Sequence, residues 1–187
     1  MEPITIIIIV IVAILVLLLI YGISVYNKLV NYKNKVENQF SQVDIQLKRR
    51  ADLIPNLVEV VKGYTKHEEG TFTKVVEARN KALSANSINE KVEANNELSS
   101  ALSKLLMLSE AYPDLKANEN FLSLQSDLKE TEDKITYARQ FYNDSAMSFN
   151  NIVEMFPSNI IAGMFKFKIY EYFKIDEKEK GTPKVKF

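Results

Sequence analysis

The sequence predicts an all-α protein in which an N-terminal transmembrane helix continues into an antiparallel four-helix bundle of long helices. Three observations support this prediction. An uncharged apolar run occupies residues 4–25, apolar residues recur at alternating steps of three and four along much of the remaining chain, and glycine and proline number only 5 each in 187 residues. Few turn formers argue against a strand-and-turn architecture, whereas the alternating step is typical of helices that pack on one another, as in a coiled coil.

The apolar run at residues 4–25 is long enough to cross a membrane as a single helix. At 1.5 Å per residue it measures about 33 Å, and the hydrocarbon core of a bilayer is about 30 Å thick. Tyr21 and Tyr26 fall where the interface with water is expected. A cleaved signal peptide is the competing interpretation, but the chain begins without Lys or Arg and no Ala-x-Ala pattern follows the run. We therefore expect a membrane-spanning segment.

Positive charges indicate the orientation of that segment. Lys28, Lys33 and Lys35 follow the run, and no Lys or Arg precedes it. Lys and Arg that lie close to a span stay on the cytoplasmic side. We therefore expect a single-pass protein of the cell membrane, with residues 1–26 forming an outside N-terminus and the span, and with the rest of the chain in the cytoplasm.

The composition limits the functions of the chain that follows the run. Its length suits one domain with a substantial core better than two. Lys plus Arg number 24, as do Asp plus Glu, so no basic excess indicates nucleic-acid binding. Cysteine is absent, which excludes a disulfide, a thiolate nucleophile and a cysteine zinc site.

The first bundle helix is predicted to continue directly from the membrane helix. Nothing in residues 25–36 breaks a helix, and a heptad stripe follows in which Arg50 occupies one position. Pro55 lies inside the pattern and should kink the helix near Ala51, because proline removes a backbone hydrogen bond. Gly63 offers an end, although the stripe can be traced across it. The stripe comprises Val36, Phe40, Val43, Leu47, Ile54, Leu57, Val61 and Tyr64.

Two shorter helices should follow the first. Residues 65–68 fit a capping box and predict a second helix over residues 66–83. Residues 87–90 fit the same pattern and predict a third helix to about Ala111, followed by a turn at Pro113. The inward residues are expected to be Phe72, Val76, Arg79 and Leu83 on the second helix, and Val92, Leu98, Leu102, Leu105 and Leu106 on the third.

The fourth helix is predicted to be the longest, at about 54 Å, and to end before Pro157. Four helices with short loops favour an antiparallel bundle over residues 27–157, so residues 158–175 should return to the bilayer. Residues 176–187 lack periodicity and are predicted to be a disordered tail. The stripe of this helix is Phe121, Leu124, Leu128, Thr131, Ile135, Ala138, Tyr142, Ser145, Phe149, Ile152 and Phe156.

Residues 158–175 combine aromatic, apolar and basic side chains. Such a mixture suits the headgroup level of a bilayer. The alternative is that these residues cap the open end of the bundle core. The candidates for the membrane interface are Ile160, Ile161, Phe165, Phe167, Tyr170, Phe173, Lys166 and Lys168.

Ten polar residues on or beside the stripes are candidates for a structural network. A buried charge without its partner is costly, so we expect these residues to pair and to fix the register; a polar binding groove is the alternative. Antiparallel partners on the first and fourth helices should have numbers that sum to about 182, which pairs Arg50 with Glu132 and Asp44 with Arg139. The candidates are Asp44, Arg50, Asp52, Asn56, Arg79, Glu110, Glu132, Arg139, Tyr142 and Asn143.

Catalytic and metal-binding patterns are not evident in the sequence. His67 is the single histidine, and Tyr64 stands where a di-iron bundle would need a glutamate three residues earlier. Neither a Gly-x-Ser-x-Gly nucleophile elbow nor a glycine-rich phosphate loop occurs. We therefore expect no enzyme activity, no metal, no cofactor and no small-molecule substrate.

Several distinctive runs lie in the region from about Tyr26 to Phe173. The longest is residues 46–58, which read Gln-Leu-Lys-Arg-Arg-Ala-Asp-Leu-Ile-Pro-Asn-Leu-Val. The others are Val61–Tyr64, His67–Glu68, Ala78–Asn80, Glu110–Lys116, Thr131–Glu132, Ala138–Asn143 and Phe156–Asn159. These runs resemble the LemA family, and the resemblance implies a bacterial single-pass membrane protein with a helical-bundle domain. It implies no reaction, because the family has no agreed biochemical activity; some relatives are linked to membrane organisation, as in magnetosomes, and others are encoded near membrane proteases.

The expected function is that of a membrane-anchored, non-catalytic scaffold or adaptor of the LemA type. It would act through protein–protein contacts or self-association at the cytoplasmic face of the bilayer. One alternative is a lipid-binding or membrane-shaping protein that uses residues 158–174. An enzyme of unrecognised type is the third hypothesis.

Overall fold

The computed structural model describes residues 2–65 and 68–174 and divides the chain into two compact units. The terminal unit comprises Met1–Gln39 and Tyr142–Tyr170, and the central unit comprises Phe40–Phe141 and Glu171–Phe187. Every regular element of the described residues is helical, which confirms the all-α prediction. The predicted tail at residues 176–187 lies outside the described residues.

The helices follow the predicted order with two additions, one short helix after the predicted third and one after the predicted fourth. They are α1 (Pro3–Lys62), α2 (Glu69–Ser84), α3 (Ile88–Leu108), α4 (Pro113–Lys116), α5 (Glu119–Glu154) and α6 (Ser158–Met164), with a 3₁₀ turn at Ser109–Ala111. The apolar run and the first heptad stripe share the single helix α1, as predicted, and α1 ends immediately before Gly63. Pro55 lies within α1; the kink that it should cause stays a prediction.

The central unit has a conventional apolar core. Ile54 and Leu57 of α1 and Leu115 of α4 are each 0% exposed, and Phe121 of α5 is 1% exposed. Burial of one such side chain contributes about 1.5–3 kcal/mol, so this cluster is the main source of stability here. It comprises Ile54, Leu57, Val58, Val61, Phe72, Val75, Ala78, Leu98, Leu102, Leu105, Leu115, Phe121 and Leu128.

Helix α2 differs from its prediction in both its start and its inward face. Its N-cap is Glu68 without a side-chain cap hydrogen bond, because the Thr65 hydroxyl donates instead to the carbonyl of Val61 at 3.1 Å. The capping box predicted at residues 65–68 is therefore wrong, and Lys66 and His67 lie outside the described residues. The buried residues are Phe72, Val75 and Ala78, whereas the predicted Val76 and Leu83 are 42% and 47% exposed.

The connection between α3 and α5 also differs from its prediction. Helix α3 begins with the predicted capping box, in which Ser87 accepts from the amide of Glu90 at 3.2 Å and Glu90 accepts from the amide of Ser87 at 3.1 Å. Pro113 forms the first turn of the short helix α4 rather than a simple turn. Proline is favoured there because the first helical residue needs no amide hydrogen.

The terminal unit contains the start of α1, the end of α5 and α6. Val25, Leu29 and Val36 of α1 are buried, as are Tyr142, Ser145 and Phe149 of the predicted α5 stripe. An added methyl group on Gly22 would lie 3.7 Å from Ile161 Cδ1, so α6 lies beside the last turns of the apolar run. The stripe ends differently from its prediction, because Phe156 follows the end of α5 and is 79% exposed.

Candidate functional site

Arg50 is a charged side chain that the central unit buries, with 7% of the side chain exposed. Its Nη1 atom lies 3.0 Å from Glu132 Oε2, and its Nη2 atom donates to Ser99 Oγ at 2.9 Å. Ser99 in turn donates to the carbonyl of Asn95 at 2.9 Å. Arg50 therefore links α1, α3 and α5, and the predicted pairing of Arg50 with Glu132 is confirmed.

The electrostatic environment of Arg50 is a balance of three effects. Burial lowers the pKa of Arg50 below its ordinary value, the charge of Glu132 opposes this shift, and the charge of Arg139 adds to it. Arginine remains protonated in proteins despite such shifts. The guanidinium is therefore a fixed buried charge, and Glu132, with 45% of its side chain exposed, is its neutralising partner.

Asp44 and Arg139 have partners that the sum rule did not name. Asp44 Oδ1 lies 2.8 Å from Lys91 Nζ of α3. The guanidinium carbon of Arg139 lies 5.6 Å from the centre of the Phe173 ring, which is a cation–π distance. The rule considered only the first and fourth helices, so it could not identify a partner on α3.

Arg79 hydrogen-bonds to α1 where Pro55 interrupts the helical hydrogen bonding. Proline has no amide hydrogen, so the carbonyl of Ala51, four residues before Pro55, lacks its usual helical donor. The Nε atom of Arg79 donates to that carbonyl at 2.7 Å. Ala51 is 1% exposed, which makes water a poor substitute. Arg79 thereby provides α1 with the missing hydrogen bond and connects α2 to it.

The other polar candidates lie in different environments. Asp52, Asn56 and Glu110 are exposed, and Glu110 lies 2.6 Å from Lys116 in an exposed ion pair. Tyr142 is 1% exposed, and Asn143 is partly buried. The ten polar candidates are therefore not uniformly withdrawn from water, since α1 turns Asp52 and Asn56 outward. Within the described residues, no group of three His, Cys, Asp or Glu side chains could hold a metal ion.

The membrane-interface candidates, which lie on the segment after α5, fall into an exposed set and a buried or partly buried set. Ile160 and Phe165 are each 55% exposed, and Lys166 and Lys168 are also exposed. Ile161, Phe167 and Tyr170 are partly buried within the terminal unit, and Phe173 is 3% exposed in the central unit. Ring contacts hold the segment: the centre of Phe165 lies 4.6 Å from that of Tyr26, and Phe173 lies 6.3 Å from Phe40.

Asn150 holds the end of this segment and was not among the sequence candidates. Its Nδ2 atom donates to the carbonyl of Tyr170 at 2.9 Å, and its Oδ1 atom accepts from the amide of Tyr170 at 2.8 Å. The Tyr170 hydroxyl lies 3.4 Å from Glu37 Oε1. Burial, followed by the negative charge of Glu37, raises the pKa of Tyr170 above its ordinary value. An asparagine directly after the stripe residue Phe149 was the available sequence signal.

Among the described residues, α1 is the one helix long and apolar enough to cross a membrane. Its most apolar 18-residue window has a mean hydropathy of 3.5, and none of that window is buried within the chain. The aliphatic side chains are exposed throughout; Ile4 and Leu17, for example, are 67% and 65% exposed.

Comparison with known proteins identifies the family of the chain that follows the apolar run. The LemA family model matches residues 39–187. The chain belongs to the LemA family. Protein LemA of Metamycoplasma hominis is 27% identical over 165 residues, which are 86% of this chain and 75% of that protein. LemA membership confirms the resemblance drawn from the sequence.

Magnetosome proteins are also similar to this LemA chain. Magnetosome protein MamQ 2 of Paramagnetospirillum magneticum is 25% identical over 185 residues, covering 84% of this chain and 67% of the relative. Magnetosome protein MamQ of Magnetospirillum gryphiswaldense is 22% identical over 174 residues, covering 79% and 64%. None of these relatives carries an enzyme name. Together with the apolar helix, the relatives indicate a membrane-associated protein of the LemA type.

Proposed function

We propose that this chain is a membrane-anchored, non-catalytic scaffold or adaptor that acts through protein contacts at the cytoplasmic face. In this proposal the apolar part of α1 spans the inner membrane with its N-terminus outside, because Lys28, Lys33 and Lys35 follow the run. The helices over residues 27–157 form an antiparallel four-helix bundle, and the buried polar residues fix its register. The bundle carries the surface that binds the partner.

The observation that carries the proposal is an exposed aromatic pair on α5. Tyr137 and Phe141 are one helical turn apart in the central unit, and they are 62% and 57% exposed. The stripe residues Ile135 and Ala138 of the same helix are buried, so the described residues cover one face of α5 and leave this aromatic face exposed. Tyr and Phe are enriched at protein–protein interfaces, where large apolar side chains are withdrawn from water.

The size of the complex extracted from native membranes in mild detergent tests this proposal. The wild-type chain should migrate as an assembly, and the variant Tyr137→Ala/Phe141→Ala should migrate as a monomer. The matched control Lys129→Ala/Asp133→Ala changes two exposed residues of α5 one turn apart and should leave the assembly intact. Two differently tagged copies in one cell distinguish self-association from binding to another protein. A monomeric wild type, or an assembly that survives loss of both aromatic side chains, contradicts the proposal.

The second candidate function is lipid binding or membrane shaping by residues 158–174. It is favoured by the exposure of Ile160 and Phe165 on a segment whose Ile161 lies beside Gly22 of the apolar run. Reconstitution of the full chain into vesicles tests it. The wild type should narrow or tubulate the vesicles in electron micrographs, and Ile160→Ser/Phe165→Ser should not. Unchanged vesicles with the wild-type chain would exclude membrane shaping.

A further inference from the structure

A groove of about 530 Å³ lies within the terminal unit, between the end of the apolar run and the end of α5. Tyr21, Ser24, Lys28 and Tyr32 line it from α1. These residues follow one another at steps of three and four, so they present hydroxyl groups and one ammonium group along one side of the helix. Asn151 adds a polar side chain from the opposite side. Ser148 and Ser158 also line that side, but their hydroxyl groups donate to the carbonyls of Asp144 and Met155.

The depth of the groove relative to the apolar run suits the boundary between acyl chains and headgroups. At 1.5 Å per residue, Tyr21 lies about 6 Å before the end of the run at Val25, and Lys28 lies about 4.5 Å beyond it. The headgroup layer on each side of a bilayer is about 5–8 Å thick. With α1 across the membrane, Lys28 is at headgroup level and Tyr21 lies on the acyl-chain side of the interface.

The apolar rim of the groove is exposed where the core stripe of α5 ends. Met155 and Phe156 line the groove and are 63% and 79% exposed. Phe156 continues the alternating stripe that is buried at Tyr142 and Phe149, yet the chain does not cover it. An exposed phenylalanine and methionine beside a membrane span suit contact with acyl chains.

The charge of the groove indicates an anionic ligand. Lys28 contributes a positive charge, and none of the twelve described residues that line the groove is acidic. We propose that this groove binds an anionic glycerophospholipid, with its phosphate at Lys28 and the adjacent hydroxyl groups, and with an acyl chain on Met155 and Phe156. The inference rests on the membrane span of the proposed function but not on its scaffold role.

Native mass spectrometry of the full chain, released from detergent, tests the headgroup contact. Phosphatidylglycerol should remain bound to the wild type. Diacylglycerol, which lacks the phosphate, and glycerol phosphate, which lacks the chains, should each bind at least tenfold more weakly. Equal binding of diacylglycerol would exclude recognition of the phosphate, and equal binding of glycerol phosphate would indicate a site for a free phosphate; either result overturns the proposal.

Substitution of Lys28 tests whether the phospholipid binds in this groove. Lys28→Gln should weaken phosphatidylglycerol binding about fivefold, the change expected from one lysine at a membrane surface, and Lys28→Arg should retain it. The matched control Lys35→Gln removes the same charge seven residues further along α1, at an exposed position that does not line the groove, and should change binding less than twofold. Equal affinities for the wild type and Lys28→Gln overturn the proposal.

A photoreactive benzoyl-phenylalanine at position 156 tests the acyl-chain contact in native membranes. It should cross-link phospholipid, whereas the same analogue at the exposed position of Phe141 in the central unit should not. Cross-linking from position 156 to a second protein chain would mean that a partner helix fills the groove, and would overturn the proposal. Alkaline carbonate extraction of the wild type distinguishes failure of the membrane span from failure of the lipid site. Extraction of the chain from membranes would contradict the membrane span. Retention of the chain, together with unchanged lipid binding in Lys28→Gln, would contradict only the lipid site.

Discussion

The two units of the molecule differ in how far their apolar side chains are exposed to solvent. In the central unit, Ile54 and Leu57 are each 0% exposed. In the terminal unit, Ile4 and Leu17 of the apolar run are 67% and 65% exposed, although the residue types are similar. The difference follows from spacing, because alternating steps of three and four direct apolar residues to one face, whereas an unbroken run covers all faces of a helix. The central unit therefore buries an apolar core of its own, whereas the apolar run of the terminal unit depends on another apolar environment.

Removal of Arg50 should produce the largest effect on the central unit. Arg50→Ala removes a side chain that is 7% exposed and leaves Glu132 and Ser99 without their shared partner. Because Glu132 is 45% exposed, the loss should lie near the lower end of the range of about 3–5 kcal/mol for breaking a buried pair. The double variant Arg50→Ala/Glu132→Ala should cost little more than the single variant, because the partner charge is also gone. Denaturant unfolding followed by circular dichroism measures both values.

Arg49 is the matched control for this prediction. Arg49 Nη2 lies 3.6 Å from Glu130 Oε2, and these side chains are 41% and 52% exposed. An exposed ion pair contributes less than about 1 kcal/mol, so Arg49→Ala should cost no more than that. Similar losses for Arg49→Ala and Arg50→Ala would contradict the difference in burial on which the prediction depends.

A pair of leucine substitutions tests the contrast between the units directly. Leu57→Ala removes a fully buried side chain and should cost about 2–5 kcal/mol. Leu17→Ala removes a side chain that the chain does not cover and should change the free energy of unfolding of the central unit by less than about 0.5 kcal/mol. Unfolding of both variants in the same detergent gives the comparison, and equal losses would show that the apolar run is part of one self-contained core.

Arg79 and Pro55 should be coupled in stability. Arg79→Ala leaves the buried carbonyl of Ala51 without its donor, which should cost about 1.5–3 kcal/mol for a charge-assisted hydrogen bond. In a Pro55→Ala background, residue 55 has an amide hydrogen for the same carbonyl, so Arg79→Ala should cost clearly less. A double-mutant cycle measures this coupling, and additive losses would mean that Arg79 stabilises the unit in another way.

The smallest expected effect concerns the titration of Tyr170, a partly buried residue of the terminal unit. Its pKa is raised by burial and by Glu37, so the folded state retains the phenolic proton longer than the unfolded state. The corresponding stability is complete below the ordinary tyrosine pKa of about 10 and is lost as pH rises through the higher folded value. The absorbance titration of the wild type minus that of Tyr170→Phe should have a midpoint above about 10, and Glu37→Gln should lower it. A midpoint at or below the ordinary value contradicts this assignment.

Most positions of the two stripes were predictable from the sequence because helical periodicity encodes burial, but the last residue of each stripe, Tyr64 and Phe156, is 41% and 79% exposed. The antiparallel sum rule also identified the contact between Arg50 and Glu132 from the ends of two helices alone. The inward face of α2 was predicted only in part: Phe72 is buried as expected, but the small Ala78 occupies a buried position that apolar periodicity weights weakly. The contact of Arg79 with Ala51 was missed for another reason: the carbonyl that Pro55 leaves unbonded is visible in the sequence, but the side chain that reaches it depends on tertiary packing.

Labelling of single cysteines tests the central claim, that α1 crosses the membrane and leaves the central unit on the cytoplasmic side. The chain contains no cysteine, so Glu2→Cys, Leu15→Cys and Ser103→Cys each provide one reporter. With a membrane-impermeant maleimide, Glu2→Cys should react in right-side-out vesicles, Ser103→Cys should react only in inverted vesicles, and Leu15→Cys should react only after detergent is added. Labelling of Leu15→Cys in intact vesicles, or labelling of Glu2→Cys and Ser103→Cys from the same side, would contradict the claim.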